Sequence, residues 1–317
     1  MSSKLSAPHF TNEDAALAFV ESWLWPDGPV CPFCGETERV GRLSGKTTRE
    51  GLCKCYACQK PFTVKMGTIF EASHAPLRLW LQAIYLMCSS KKGISTRQLQ
   101  RTLGVGMKTA WFMGHRIRLA MAPAPGGEPP LGGDGFVVEA DETFLQTADG
   151  KRKHPSAGGY AHKMAVLSLT ERGGDIRSRR IENVNRAEIM KAIRENVDPA
   201  STLHTDGAQH YKFPSTDIVA DHESVDHAKA YVRKTKRGVK VHTNTLEGYF
   251  SVFKRGLVGV YQHVDQAHLD RYLAEFDFRQ NTRAKLGIDD VSRSAIALQG
   301  TKGKRLTYRT TCRAAHP

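Results

Sequence analysis

The sequence lacks the segments that would place the chain in or across a membrane. It contains no run of about eighteen apolar residues, the length that a membrane-spanning helix requires. Its first residues, Met-Ser-Ser-Lys-Leu-Ser-Ala-Pro, include no apolar core of a signal peptide. We therefore expect a cytoplasmic protein that has no membrane partner. In that compartment the seven cysteines are expected to be reduced.

Acidic residues are scarce relative to basic ones. The chain has 32 Asp and Glu against 46 Lys and Arg, so its net charge is +14 and its pI about 9.5. Such an excess favours a polyanionic partner, and without a membrane segment nucleic acid is the better expectation. The 317 residues are enough for two or three domains, with a hydrophobic core in at least one.

Four of the cysteines form two C-x-x-C pairs, a spacing typical of zinc sites. Cys31 and Cys34 make the first pair, and Cys55 and Cys58 follow after twenty intervening residues. Four thiolates at this spacing form a closed, tetrahedral zinc site, which is structural because it leaves no position for a substrate. Disulfides are the alternative that a reducing compartment disfavours. Cys53 is a spare thiol near the second pair, and the two-residue spacing favours Cys55.

Helices are predicted on both sides of the zinc motif. Residues 12–25 precede it, and residues 76–89 form an apolar helical stretch after it. Ser95-Thr-Arg-Gln98 resembles a capping box that opens a further helix, and a last helix follows at residues 107–121. Two short helices joined by a glycine-containing turn are typical of helix-turn-helix DNA-binding regions, although any small helical hairpin shows the same pattern.

The last of these helices carries candidate DNA contacts. Its apolar spacing predicts that Ala110, Trp111 and Ile117 are buried. Four basic side chains are then expected on its exposed side, where they would contact DNA: Lys108, His115, Arg116 and Arg118.

A linker rich in proline and glycine, residues 123–134, separates this region from an α/β region. Strands are predicted from residue 136 and at residues 163–170, 176–184, 201–205 and 218–222, with a helix at residues 186–196. Three consecutive strands before the helix favour a mixed sheet over an all-parallel one.

Three acids in this region are candidate metal ligands. Asp141 lies on the first strand, Asp206 follows a later strand, and Glu247 lies on a helix beyond it. Carboxylate oxygens suit Mg²⁺ or Mn²⁺, and three converging acids can hold two ions. The alternatives are a strand that ends at the surface with solvated acids, and a Glu247 that only caps its helix behind Asn244.

Basic residues flank the third acid. Residues 229–240 contain six Lys or Arg, either as a solvated loop or as a contact with the phosphate backbone. Lys254 lies two helical turns after Glu247 and points the same way, or is an ordinary surface lysine. We assign candidate DNA contacts in this part of the chain to Lys234, Lys236, Arg237 and Arg255.

Over nearly its whole length the chain resembles the ISXO-type insertion-sequence transposases, a prokaryotic family. In the N-terminal third the resemblance covers Cys31-Pro-Phe-Cys-Gly, Cys55-Tyr-Ala-Cys, Gly67-Thr-Ile-Phe, Lys92-Gly-Ile-Ser, Leu103-Gly-Val, Thr109-Ala-Trp and His115-Arg-Ile-Arg. Further on it covers Glu139-Ala-Asp-Glu, Thr205-Asp-Gly, Thr243-Asn-Thr-Leu-Glu, Lys254-Arg-Gly and the segment at residues 271–283. Ala140 departs from the pattern, because a larger aliphatic residue is expected there.

The resemblance implies a multidomain protein. It implies an N-terminal helix and zinc ribbon at residues 1–68, a helix-turn-helix region at 69–122, a ribonuclease-H-like catalytic domain with a mixed sheet at 135–290, and a basic C-terminal tail at 291–317. It also implies that Asp141, Asp206 and Glu247 are a DDE triad that holds Mg²⁺ or Mn²⁺, and that Lys254 lies near the DNA end.

The expected activity is metal-dependent DNA cleavage and strand transfer by a DDE-type transposase. The partners implied are terminal inverted repeats, target DNA and further copies of the chain, as a homodimer or higher oligomer on the nucleoid. Two alternatives remain open, a non-catalytic DNA-binding regulator and an endonuclease without joining activity.

Overall fold

The chain divides into two units. The computed structural model describes residues 3–124, 126–145, 163–212, 218–226, 229–235 and 238–307. The N-terminal unit comprises Met1–Ala122 and Arg283–Pro317, and the central unit comprises Pro123–Thr282. Among the helices of the described residues, none is long and apolar enough to cross a membrane.

The N-terminal unit begins with helices and a small sheet. Helix α1 spans Pro8–Thr11 and α2 spans Glu13–Leu24, which Asn12 caps by accepting a hydrogen bond from the Ala15 backbone N–H. An antiparallel sheet follows in the order β1 (Val40–Arg42), β2 (Cys53–Cys55) and β3 (Pro61–Phe62). This sheet brings the two C-x-x-C pairs together beside the buried ring of Phe62.

Three helices complete the first part of this unit: α3 (Leu77–Ser89), α4 (Thr96–Leu103) and α5 (Met107–Met121). The predicted cap of α4 is confirmed, because Ser95 Oγ accepts from the backbone N–H of Gln98 at 3.2 Å. Gly104 ends α4 with φ of 65°, a left-handed conformation that glycine adopts without a steric penalty.

The central unit contains a mixed sheet of five strands, in agreement with the prediction. Its strands are β4 (Val137–Leu145), β5 (Met164–Glu171), β6 (Ile176–Ile181), β7 (Thr202–Asp206) and β8 (Asp221–Val225). The order across the sheet is β6-β5-β4-β7-β8. β4 pairs antiparallel with β5 and parallel with β7, so β4 lies at the centre. A two-stranded ribbon, β9 (Arg233–Lys234) and β10 (Lys240–Val241), follows.

Helices cover both faces of this sheet. Helix α6 (Arg186–Asn196) packs on one face, with Val138, Ala140 and Leu167 from the sheet. Helices α7 (Asn244–Gly256) and α8 (Leu269–Asn281) pack on the other, with Val166. Because side chains alternate along a strand, Glu139 and Asp141 lie on the face of α7, and Glu142 lies on the opposite face.

One strand was predicted in a shifted position. The apolar residues at 218–222 suggested a strand, but Ile218 and Val219 precede β8, although both are buried. Both residues are buried in the core cluster on the α6 face, which accounts for their apolar character. A residue can be buried in this way without pairing in a strand.

The chain then returns to the N-terminal unit. Helix α9 (Asp290–Gln299) packs against α3, and the Arg293 guanidinium donates to the Cys88 carbonyl at 3.0 Å. At Gly300 an added Cβ would lie 2.2 Å from the Ala120 carbonyl oxygen, so only glycine permits this close approach to α5. The structure corrects the prediction of a catalytic domain to residue 290 and a tail after it, because residues 283–307 are part of the N-terminal unit.

Candidate functional site

The four predicted cysteines form one cluster. The Sγ atoms of Cys31, Cys34, Cys55 and Cys58 all lie within 4.8 Å of one another. A backbone N–H of Cys58 donates to Cys55 Sγ at 3.5 Å and is the main cause that lowers the pKa of the Cys55 thiol to about 7. Four sulfurs so close together, one of them readily ionised, fit a structural Zn²⁺. Cys53 is buried on β2 but is not one of the four, which agrees with the ligand choice made from spacing.

The three predicted acids lie on neighbouring elements of the central unit. Asp141 is on β4 and Asp206 is the last residue of β7, the parallel neighbour of β4. Glu247 is in the first turn of α7. The pKa of Asp141 is raised to about 8, mainly by burial and in addition by the negative charges of Glu142, Asp206 and Glu247. The charges of the other two predicted acids, Asp206 and Glu247, therefore both act on the carboxyl group of Asp141.

This arrangement fits a divalent cation by its chemistry. A buried carboxyl group surrounded by other acids is stabilised in its charged form by a cation with oxygen ligands. Among the residues that the structure describes, the four cysteines are the one group of potential ligands with every ligand atom within 4.8 Å. The three carboxylates are therefore more widely spaced than the thiols.

Glu247 is not the helix-capping residue that the alternative interpretation proposed. Thr243, and not Asn244, is the N-cap of α7, and its side chain makes no capping hydrogen bond. Glu247 is thus the fourth residue of the helix, beyond the position of a capping box. The cap is supplied from β4, where Glu139 Oε2 accepts from the backbone N–H of Thr245 at 3.0 Å.

Several polar residues near the acids were not predicted. On the α6 face of the sheet, Glu142 accepts a hydrogen bond from the hydroxyl of Tyr211 and contacts His210 Nε2 at 3.2 Å. These contacts join the strand that carries Asp141 to the segment after Asp206. The hydrogen bond that protonated His210 donates to Glu142 is the main cause that raises the pKa of His210.

A buried carboxyl group attaches α7 and α8 to the sheet. Asp277 of α8 accepts from Ser178 Oγ at 2.8 Å and from the Ser178 backbone N–H at 2.7 Å. It also accepts from the hydroxyl of Tyr249, which lies on α7 two residues after Glu247. Burial raises the pKa of Asp277 to about 7.

Four of the predicted DNA-contacting side chains are exposed. Lys254 and Arg255 lie in the last turn of α7, and Arg255 Nε donates to the Ser251 carbonyl at 2.9 Å. Lys108 and Lys234 are exposed as well. Lys236 and Arg237 lie outside the described residues.

The prediction that His115, Arg116 and Arg118 are exposed is wrong. Each is at most 4% exposed. Arg116 donates to the carbonyls of Ile69 and Leu306, at 2.6 and 3.1 Å, so it holds two segments of its own unit. Helix α5 is covered on most sides, which a single apolar stripe in the sequence does not reveal.

Comparisons with known proteins agree on one family. Residues 130–281 match the model of the ISXO2-like transposase domain, and residues 11–61 match that of the transposase zinc-ribbon domain. A protein of Halobacterium salinarum, described as an uncharacterized protein in transposable element ISH50, is 28% identical over 286 residues. The alignment covers 88% of this chain and 94% of that protein.

A more distant likeness was found among solved structures. A chain in the cryo-electron microscopy structure of the simian T-cell lymphotropic virus intasome in complex with PP2A regulatory subunit B56 gamma is 11% identical, with a TM-score of 0.21. The match covers 41% of this chain and 48% of that one, so this chain spans about half of its length. A TM-score this low does not indicate a shared fold. The two domain matches, together with the relative from a transposable element, show that the chain belongs to the ISXO2-like transposase family.

Proposed function

We propose that the protein is a DNA transposase that binds terminal inverted repeats, cleaves DNA at the element ends and joins the freed 3′-hydroxyl to target DNA. The observation that supports this best is that Asp206 and Glu247, two of the three candidate ligands, are close enough to Asp141 for their charges to raise its pKa. A ribonuclease-H-like core is part of the proposal. It is supported by the central strand β4, antiparallel to β5 and parallel to β7, with helices on both faces.

The three acids would hold one or two Mg²⁺ or Mn²⁺ ions. Bound there, such ions supply charge neutralisation and a water of lowered pKa for in-line displacement at a phosphodiester. Asp141 and Asp206 provide oxygens from two adjacent strands, and Glu247 provides oxygens from α7. Lys254, on the same helix, would contact a phosphate near the scissile bond and hold it for attack.

The zinc ribbon and helices α4 and α5 would bind the inverted repeats. With the buried side chains of α5 removed from the interface, Lys108 remains as its exposed basic contact. Lys234 and Arg255 would contact DNA from the central unit, together with Lys236 and Arg237. A homodimer or higher oligomer on DNA, in the cytoplasm at the nucleoid, completes the proposal.

The test is incubation of the zinc-loaded protein with DNA carrying its flanking inverted repeats and Mg²⁺. We expect cleavage and joining by the wild type, and neither by Asp141→Asn, Asp206→Asn or Glu247→Gln, all of which should still shift DNA in a gel. Glu195→Gln is the matched control, since it changes an exposed acid on α6 and should cleave normally. Wild-type cleavage by one triad variant would remove that residue from the site.

The same experiment separates the two other candidate functions. Cleavage without joined product would identify an endonuclease. Binding without cleavage at any divalent metal would identify a DNA-binding regulator. The influence of Asp206 and Glu247 on the pKa of Asp141 supports the catalytic function over the regulator.

A further inference from the structure

An ion pair between a fully buried carboxylate and a partly buried guanidinium lies beside the proposed triad and is not used by the proposed chemistry. Glu139, on β4, is 0% exposed, and the Nε of Arg172 donates to its Oε1 at 3.0 Å. Arg172 follows β5, at the turn that leads into β6. Glu139 precedes Asp141 by two residues, so both side chains lie on the same face of β4.

The pair and its hydrogen-bonding partners include the residue two positions before each of the three acids. The Nη2 of Arg172 donates to Nδ1 of His204, at 3.0 Å, and His204 precedes Asp206 by two residues on β7. Thr245, which precedes Glu247 by two residues, donates to Glu139 from its backbone N–H at 3.0 Å and from its hydroxyl at 2.9 Å. The ion pair thus contains the residue two positions before Asp141 and contacts the residues two positions before Asp206 and Glu247.

Arg172 also holds the segment that enters α7. Its guanidinium donates to the carbonyls of Lys240 and His242, at 3.1 and 3.2 Å. Because a guanidinium can only donate, Nδ1 of His204 accepts the hydrogen bond from Arg172. One guanidinium therefore spans strand β4, strand β7 and the approach to α7.

A purely stabilising role accounts poorly for this arrangement. Taking Glu139 fully and Arg172 partly out of water offsets much of their attraction, so the pair adds little to stability compared with apolar residues of similar size. The pair instead fixes local geometry, because a planar guanidinium and a carboxylate hold several hydrogen-bonding partners in defined positions at once. Partners of this kind behind metal ligands tune metal affinity by ten- to a hundredfold in other proteins.

We infer that Glu139 and Arg172 are positioning residues that set the spacing of Asp141, Asp206 and Glu247 for a divalent cation. This inference rests on the proposed function, since it presumes that the three acids hold the cation. It predicts that the pair controls metal affinity beyond any effect it has on folding.

The test measures Mn²⁺ binding to the zinc-loaded full chain by electron paramagnetic resonance, without DNA. Glu139→Gln keeps the shape of the side chain and removes its charge. Arg172→Lys keeps the positive charge and removes the planar guanidinium with its several N–H donors. We expect each to raise the Kd for Mn²⁺ by at least about tenfold. Amide hydrogen exchange at Thr245 should accelerate in Glu139→Gln, since its acceptor is weakened.

Two controls separate positioning from general damage. Arg179→Ala breaks the exposed pair of Arg179 with Glu195, which are 2.8 Å apart, and should keep the Kd within about twofold. Ile193→Val removes a methylene from the buried core on the α6 face and lowers stability without touching the pair. If it lowers the melting temperature as much as Glu139→Gln does but keeps the Kd, lost stability does not explain weak binding.

The possible outcomes are distinct. Folded Glu139→Gln and Arg172→Lys with wild-type Kd, while Asp141→Asn loses Mn²⁺, would overturn the positioning role and leave the proposed site intact. Equal Mn²⁺ binding by the wild type and Asp141→Asn would refute the proposed site itself, and the inference with it. Weaker binding by both pair variants, with both controls normal, supports the inference.

Discussion

Asp141 has an environment that disfavours its own charge. Burial is the main cause that raises its pKa to about 8, and three nearby carboxylates add to the effect. A carboxyl group with so high a pKa keeps its proton at neutral pH. A bound cation replaces that proton, so the group is a good metal ligand. Among the three proposed ligands, Asp141 is therefore the one whose charged form is expected to depend most on bound metal.

Metal affinity should consequently depend on pH. We expect the apparent affinity for Mn²⁺ to rise between about pH 6 and pH 8, by at most about tenfold per unit, and to level off above, since binding displaces one proton from Asp141. Calorimetry in buffers of different ionisation enthalpy measures that proton. An affinity independent of pH over this range would contradict the prediction.

The raised pKa of Asp141 also affects the stability of the metal-free protein, and here a rise in pH is unfavourable. Asp141 has a higher pKa in the folded chain than in the unfolded one, so the metal-free protein loses stability as pH rises from about 4 to about 8. Asp141→Asn cannot ionise and serves as the control. Its free energy of unfolding relative to the wild type should increase over this range.

Lys254 distinguishes a catalytic helix from an ordinary surface helix. Since the side chain is exposed, Lys254→Ala should change stability by no more than about 0.5 kcal/mol. If the ammonium holds a phosphate near the scissile bond, the variant should cleave at least about tenfold more slowly, or about 1.4 kcal/mol in barrier. Single-turnover cleavage is the measurement, and Lys254→Arg should recover part of the rate. A wild-type rate in the alanine variant would remove Lys254 from the site.

Cys34 and Cys58 are expected to bind zinc, whereas Cys53 is expected to contribute to packing alone. Cys34→Ser and Cys58→Ser should lose the zinc, since each removes one of four ligands. Cys53→Ser should keep one zinc per chain and lose about 1 kcal/mol of stability, because a hydroxyl replaces a fully buried thiol. Elemental analysis and thermal unfolding measure the two effects. Loss of zinc in Cys53→Ser would show that the spacing identified the wrong ligand.

Single elements were predicted well where the signal is local. The bounds of α5 and α6 match the predicted ones, since caps, turns and apolar spacing lie within a few residues of each other. The faces of α5 were not predicted correctly. Arg116 is buried because distant carbonyls accept its hydrogen bonds, and no window along the helix contains Ile69 or Leu306.

The triad and its supporting residues show the same limit. Carboxylates next to apolar strands are unusual, so Asp141 and Asp206 could be found as candidates from the sequence. Arg172 could not, because its partners Glu139, His204 and His242 are 33, 32 and 70 residues away along the chain. Only the pairing of β4 with β5 and β7 brings them together.

Arg116 should behave as part of the core of its unit. Arg116→Ala leaves the carbonyls of Ile69, Glu71 and Leu306 without this donor, so we expect a loss of at least about 2 kcal/mol in the free energy of unfolding. Chemical denaturation is the measurement. Lys108→Ala, on the exposed side of the same helix, is the control and should stay within about 0.5 kcal/mol. Equal, small effects would mean that Arg116 is not structural.

At the scale of the whole molecule, the charge of +14 should govern binding to DNA of any sequence. Each phosphate neutralised releases counterions, so affinity falls steeply with salt. We expect a loss of about a hundredfold between 50 and 200 mM NaCl, the change that about four phosphate contacts produce. Fluorescence anisotropy with random-sequence duplex is the measurement. A flat affinity would argue against an extended phosphate-binding surface.

The composition predicted this partner class but not how the chain is divided. Residues 291–317 were predicted to be a basic C-terminal tail. The Ala and Leu side chains of α9 are buried instead, against a helix about 200 positions earlier. Contacts between segments so far apart in the sequence produce no pattern in either segment that identifies its partner.

The return of α9 to the N-terminal unit sets an order for biosynthesis. A ribosome releases the zinc ribbon and α3 first, yet that unit lacks α9 until the end of translation. The central unit is continuous along the chain and can fold earlier, so the part made first is completed last. A stop codon shortly before residue 290 would spare every proposed catalytic acid and still leave the first-made unit open along α3.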